Sequence, residues 1–227
     1  MGIMAKSSRP VVTISAAYGC GGGFIGPRVA DRLGVGFVDR AVSAAVATEI
    51  AERAEAVEGF EDVLGRGVSR WLSMFADVAG MWGGISPPPD LWFHDTRSYK
   101  CHIDDVLHRL AEEGAVILGR GAQIALRDVP RALHVRLDGP LERRVAQAVE
   151  LGGLDPAAAR RDQHHTDTAR HRYIHHLYHR DVGDPRFYHL LIDSTSLPWA
   201  TCVEIIVAAV QGRDEFRHLG QLDDDPA

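Results

Sequence analysis

The sequence has few of the features that mark secreted, membrane or metal-clustered proteins. Its three cysteines, Cys20, Cys101 and Cys202, are scattered and odd in number, and none forms the close pair that metal or redox work uses. No apolar run reaches the length of about 20 residues that a membrane-spanning helix needs. The opening segment MGIMAKSSRP lacks the apolar stretch of a secretory signal. Met1-Gly2 is followed by Lys6, where an N-myristoylation site carries Ser or Thr. Excess positive charge is also missing: 25 Lys and Arg against 31 Asp and Glu leave a formal charge of −6. No overall basic field therefore recruits nucleic acid, and any affinity for phosphate must be local. No internal repeat is visible. These absences predict a soluble, cytoplasmic protein with small-molecule partners, no nucleic acid or membrane partner, and homo-oligomerisation left open.

What is present is an alternation of short β-branched runs with longer helical patterns. Strands are expected at Pro10–Ser15, Val35–Val38, Ala115–Leu118, Leu133–Leu137 and Leu190–Ile192. Helices are expected at Ile25–Leu33, Ala41–Val57, Leu91–Glu113, Pro140–Leu151, Pro156–His179 and Pro198–Gln211. That alternation argues for an α/β fold with a five-stranded parallel sheet covered by helices on both faces. Asp155-Pro156 is a good helix start, with the carboxylate capping free amides and proline in the first turn. At 227 residues the chain fits one domain plus an insertion. The expected organisation is a flexible N-terminus over residues 1–10, an α/β domain over 11–212 with a helical insertion at about 55–100 and a helical lid at about 152–182, and a disordered acidic tail over 213–227.

The sharpest feature is a strand that runs into a glycine cluster and then into a helix: Thr13-Ile14-Ser15-Ala16-Ala17-Tyr18-Gly19-Cys20-Gly21-Gly22-Gly23-Phe24-Ile25-Gly26. Five glycines within eight residues exceed what a plain strand–helix turn needs. Free amides at a helix start, with the helix dipole behind them, favour a phosphate. Gly19, Cys20, Gly21, Gly22 and Gly23 are therefore candidate nucleotide-binding residues. The complete phosphate-loop pattern of Gly, four residues, Gly, Lys and Ser/Thr is absent. Gly22 stands at its lysine, Phe24 where a magnesium-binding hydroxyl would follow, and Ala16 at its first glycine.

The block VTISAAYGCGGGFIGPRVADRLGVGFVDR resembles the opening of the cytidylate kinase-like family of small nucleotide kinases, which have a P-loop kinase-like fold. The likeness continues in Val116-Ile117-Leu118-Gly119-Arg120-Gly121-Ala122, in Arg127-Asp128, in Val135–Val145, and in Gly183-Asp184-Pro185 followed by Tyr188, Leu190, Ile192 and Thr195-Ser196-Leu197. It covers most of Val11–Gln211 and is weakest between Glu55 and Tyr99. The resemblance implies ATP and Mg2+ as cofactors and CMP or dCMP as phosphoryl acceptor. That family also lacks the lysine, but its members commonly carry Arg and Glu where this chain has Ala16-Ala17 and again where it has Gly23-Phe24.

Phosphoryl transfer needs positioning and positive charge on the transferring group. Arg120 follows the third strand at the carboxyl edge, where open α/β sheets place ligands, and the resemblance implies that it holds the acceptor phosphate. Asp39-Arg40 follows the second strand at the same edge and would face the acceptor; a helix cap at Asp39 with a solvated Arg40 is the competing reading. Arg160, Arg161, Asp167 and Arg170 lie on the expected lid, with Asp167 and Arg170 on one helix face. The resemblance gives Arg161 and Arg170 a role in transfer, Arg160 a contact to the donor, and Asp167 a contact to acceptor sugar and phosphate. A solvated charged face is the plain alternative. His171, His175 and His179 repeat every four residues, a spacing that can grip zinc or nickel, but no further ligand pattern completes the set, and no metal site is assigned. Two other functions stay open: a kinase-like fold that binds nucleotide without transferring phosphate, and a metal-responsive protein built on the histidine helix.

Overall fold

The structure, a computed structural model, describes residues 9–39 and 96–222. Five strands form one parallel sheet: β1 (Val11–Ala16), β2 (Gly36–Val38), β3 (Ala115–Leu118), β4 (Ala132–Asp138) and β5 (Leu190–Asp193). Their spatial order is β2-β3-β1-β4-β5. The helices are α1 (Gly22–Leu33), α2 (Thr96–Glu113), the short α3 (Ala122–Ala125), α4 (Leu141–Gly152), α5 (Pro156–Tyr178) and α6 (Trp199–Leu222). Each strand lies within a residue or two of the position its β-branched run predicts.

Strand alternation divides the core. Val12, Ile14, Leu133, Val135 and Leu137 point to one face, where they pack with Ile25 and Val29 of α1 and with Cys202, Ile206 and Val210 of α6. Val11, Ala115 and Ile117 point to the other, against Ile103 and Leu107 of α2 and Tyr173, Ile174 and Leu177 of α5. Both faces are covered, as a parallel sheet requires. The C-terminal half of α5 thus belongs to the second core. Its start is built as the sequence predicts, with Asp155 accepting from the Ala158 amide at 3.1 Å and Pro156 in the first turn.

One boundary differs from expectation. The tail was expected to begin after Gly212, yet α6 runs through that glycine to Leu222. Arg213 holds the helix there by donating to the carbonyls of Ala132 and Pro130, each at 3.0 Å. These contacts to the start of β4 offset the modest cost of one helical glycine. The expected helix at Ala41–Val57, most of the insertion at about 55–100, Arg40, residues 1–8 and residues 223–227 lie outside the described residues.

The seam between β1 and β4 is unusual in carrying polar side chains into a covered face. Thr13 pairs in register with His134, and Ser15 with Arg136. Thr13 Oγ1 lies 2.8 Å from His134 Nδ1. The His134 ring stacks on His189 with centroids 4.9 Å apart. The backbone N–H of His134 donates to His189 Nδ1 at 2.9 Å, and Arg213 lies 3.0 Å from the same nitrogen. Burial, with His189 and Arg213 nearby, lowers the His134 pKa to about 4; burial and Arg213 also lower that of His189. The folded state therefore prefers neutral imidazole. This contribution to stability is complete above the ordinary histidine pKa near 6.5 and is lost as pH falls toward 4. Urea denaturation is expected to show about 2 kcal/mol less stability at pH 5 than at pH 7.5 from this group, and His134→Gln is expected to flatten that slope. An unchanged slope in the variant would assign it to other groups.

Candidate functional site

The turn between β1 and α1 is shaped by two left-handed glycines, Gly19 (φ 78°) and Gly21 (φ 69°). The Cys20 amide donates back to the Ala17 carbonyl at 3.2 Å, and Phe24 and Ile25 donate to the Gly21 carbonyl, each at 2.9 Å. Gly21 is the helix N-cap; it has no side chain to cap α1, and no acidic residue stands in the first turn. The positive end of the α1 dipole is thus left without a carboxylate from its own helix. A Cβ on Gly19 would overlap the Arg144 carbonyl, and one on Gly21 would lie 2.5 Å from the Trp199 ring, whereas one on Gly23 meets nothing within 4 Å. The Trp199 ring in turn sits 4.9 Å from that of Phe24. The Gln147 amide, oriented to satisfy both neighbours, donates to the Gly19 carbonyl at 3.0 Å and accepts from Trp199 Nε1 at 2.8 Å.

Beside the turn a cavity of about 400 Å³ opens, lined by Arg136, Asp138, Arg144, Asp167 and Arg170 among others. Asp167 is its hub. Asp167 Oδ1 accepts from the Tyr18 backbone amide at 2.9 Å. Asp167 Oδ2 accepts from Arg144 at 2.6 Å and from the Gln163 side chain at 2.8 Å. Arg170 lies 3.6 Å away. Burial alone would raise the carboxyl pKa, but Gln163, Arg144 and the Tyr18 amide outweigh it and hold Asp167 below the ordinary carboxylate range. Arg144 also donates to the carbonyls of Gly139 at 2.9 Å and Tyr18 at 3.3 Å. Arg136 rises from the β1–β4 seam, donating to Ser15 Oγ at 3.0 Å and to Asp138 at 2.8 Å. The side chains of Arg136 and Arg144 are only 12% exposed, so both guanidiniums are held in place by their partners. Fixed, partly desolvated guanidiniums around one cavity make a site suited to a multiply charged oxyanion.

A family model described as the cytidylate kinase-like family matches residues 11–196. The chain belongs to the cytidylate kinase-like family. Its structure is similar to that of an uncharacterized protein from Eubacterium ventriosum ATCC 27560, with a TM-score of 0.64 and 18% identity over 90% of this chain and 99% of that one. It is also similar to a gluconokinase from Sinorhizobium meliloti 1021, with a TM-score of 0.51 and 14% identity over 93% of this chain and 97% of that one. At these identities the likeness establishes a P-loop kinase-like fold. A stretch of 103 residues, 45% of this chain, is 31% identical to the uronate isomerase of Corynebacterium glutamicum, of which it spans 20%.

On this kinase-like frame the residues singled out in the sequence fall into separate groups. Asp167 and Arg170 line the cavity. Arg120 follows β3 with a left-handed backbone, φ 62°, and its carbonyl accepts from the Tyr178 hydroxyl at 3.5 Å; it is not among the cavity residues. Asp39 is half-buried at the end of β2. Arg160 instead forks onto Glu142 in an exposed ion pair between α5 and α4, and Arg161 is exposed on α5; neither lines the cavity. Cys20 contributes backbone alone: its side chain is buried, burial pushes the thiol up to about 11, and its carbonyl accepts from Ser194 at 2.9 Å. The exposed rings of His171 and His175 stack 6.3 Å apart, but among the described residues no group of three or more His, Cys, Asp or Glu could hold a metal ion.

Sequence reasoning missed Arg136, Asp138 and Arg144. Arg136 did leave a signal, as a charge between Val135 and Leu137 in a strand pattern; Arg144 was indistinguishable from a solvated helix residue. The glycines give a paired prediction. Gly21→Val is expected to destabilise the protein by more than about 2 kcal/mol, through strain at positive φ and collision with Trp199. Gly23→Ala is expected to be neutral or to stabilise it by about 0.5–1 kcal/mol. Thermal denaturation of the two variants measures both, and equal losses would contradict the packing described for the turn.

Proposed function

We propose that this protein is an ATP-dependent, Mg2+-requiring nucleoside monophosphate kinase, with CMP or dCMP as acceptor. The observation that carries this reading is the convergence of Arg136, Arg144 and Arg170 on one cavity that Ala17 of the turn also lines, although Gly19–Gly23 are not among its lining residues. Phosphoryl transfer requires charge neutralisation and alignment more than covalent chemistry, and a set of anchored guanidiniums supplies it. In this reading the donor phosphates lie along Gly19–Gly23 and Arg170 neutralises charge in transfer. The acceptor sits toward the ends of β2 and β3, near Asp39 and Arg120, with Arg40 assigned to it from the sequence alone. Arg160 and Arg161 approach the donor only if α5 shifts, since Arg160 is engaged with Glu142. Magnesium carried in with the nucleotide would supply further positive charge to its phosphates. Membership of the cytidylate kinase-like family supports the choice of acceptor class.

A second reading, a protein that binds nucleotide without transferring phosphate, is favoured by the uncharged residues Ala16, Ala17, Gly23 and Phe24 on the turn and by the carboxylate of Asp167 already seated on the Tyr18 amide. One assay separates the two. Incubation with ATP, Mg2+ and a panel of nucleoside monophosphates is expected to yield diphosphate product from CMP or dCMP. ATP-induced thermal stabilisation with no product from any acceptor would establish the binding protein instead. Arg120→Ala is expected to lower kcat at least a hundredfold with little change in melting temperature; full activity in that variant would remove Arg120 from the site.

A further inference from the structure

The glycine turn lacks the lysine that usually holds a nucleotide's phosphates, yet its mouth is not short of cationic charge. Arg144 reaches it from α4, anchored by the carbonyls of Gly139 and Tyr18. The anion that Arg144 holds most closely is the protein's own Asp167, whose other oxygen accepts from the Tyr18 amide, with Asp138 3.7 Å from the same guanidinium. The Tyr18 amide and the Arg144 guanidinium around one carboxylate form the donor set that would receive a phosphate oxygen, while Gln163, on the same helix as Asp167, steadies the seated carboxylate. We propose that Arg144 is the phosphate-binding cation of the turn, and that Asp167 occupies the phosphate position until a polyphosphate displaces it, so that ligand entry and release of α5 from the turn are one exchange.

Three features carry this inference. Asp167 and Arg144 come from different helices, and both line the same cavity. Arg144 has further anchors that do not involve Asp167, so the guanidinium stays in place when the carboxylate leaves. Asp167 lies midway along α5 and its side chain keeps 25% exposure, so solvent can receive the carboxylate when it leaves, while Thr166 and Ala169 beside it are buried with Tyr173, Ile174 and Leu177. Two anions on one set of donors repel, so a bound phosphate and a seated Asp167 exclude each other. The inference rests on the turn being a phosphate site, as the proposed kinase reading has it.

The test is calorimetric titration with inorganic tripolyphosphate, which removes the base and acceptor from consideration. Asp167→Asn is expected to bind at least fivefold more tightly than the unaltered protein. Adding Arg144→Ala is expected to abolish that gain, while Arg144→Lys keeps most of it. Gln163→Ala leaves the carboxylate but removes one of its partners, and is expected to tighten binding about twofold; it serves also if Asp167→Asn folds poorly. Equal or weaker binding in both Asp167→Asn and Gln163→Ala, or no binding in any form, would overturn the exchange. The kinase reading fails separately: tripolyphosphate binding that follows this pattern, with no acceptor turned over, would leave the exchange standing and remove the activity. Turnover of CMP with unaltered tripolyphosphate affinity in Asp167→Asn would do the reverse.

Discussion

The contact of Asp167 with the Tyr18 amide and the Arg144 guanidinium joins the consecutive helices α4 and α5 to the turn after β1, whose Tyr18 lies 126 residues before Arg144 in the chain. Each partner solves a problem for the others. The turn has an amide exposed by its left-handed glycines, α4 carries a guanidinium brought out of solvent, and α5 carries a carboxylate that burial would otherwise penalise. A lone group of any of these kinds is costly in a partly dry site, whereas the three together satisfy one another. The position of α5 over the turn follows from this joint at one end and from Tyr173, Ile174 and Leu177 in the core at the other.

The β1–β4 seam explains why charge gathers where it does. At its amino-terminal end the paired side chains are Thr13 and His134, neutral and closed off by His189 and Arg213. One pair further along, Ser15 meets Arg136, and at the strand end Asp138 faces the cavity. Polarity therefore increases along the seam from a neutral hydrogen bond to an ion pair. Because all five strands run in the same direction, their carboxyl ends share one edge, and the loops that leave them bring the glycine turn, Asp39, Arg120 and Asp138 to that edge. A kinase-like protein can thus dispense with a lysine on the turn if neighbouring elements place guanidiniums over it. In the proposed reading the helix amides would attract the anion, and Arg136, Arg144 and Arg170 would add the charge.

The short runs at Val11–Ser15, Val35–Val38, Ala115–Leu118, Leu133–Leu137 and Leu190–Ile192 determined by themselves the number and approximate limits of the strands, and their alternation with helical patterns determined the parallel direction. The glycine cluster likewise determined its own sharp turn, since left-handed backbone at Gly19 and Gly21 admits little else. The Asp155-Pro156 start of α5 was equally plain, for capping is a contact within four residues. Asp167 and Arg170 could be chosen as a pair by their shared helix face, but not the partner that Asp167 would find. Only the tertiary structure decided that Arg144 is an anchored cation while the adjacent Arg143 and the nearby Arg160 are surface ion pairs, that Trp199 packs over Gly21, and that α6 continues past Gly212. Those outcomes depend on the burial of one side chain by segments up to about 180 residues away. Helix periodicity and local propensity carry no information at that range, and identical residue types in one short stretch acquire different chemistry only when the fold sets their neighbours.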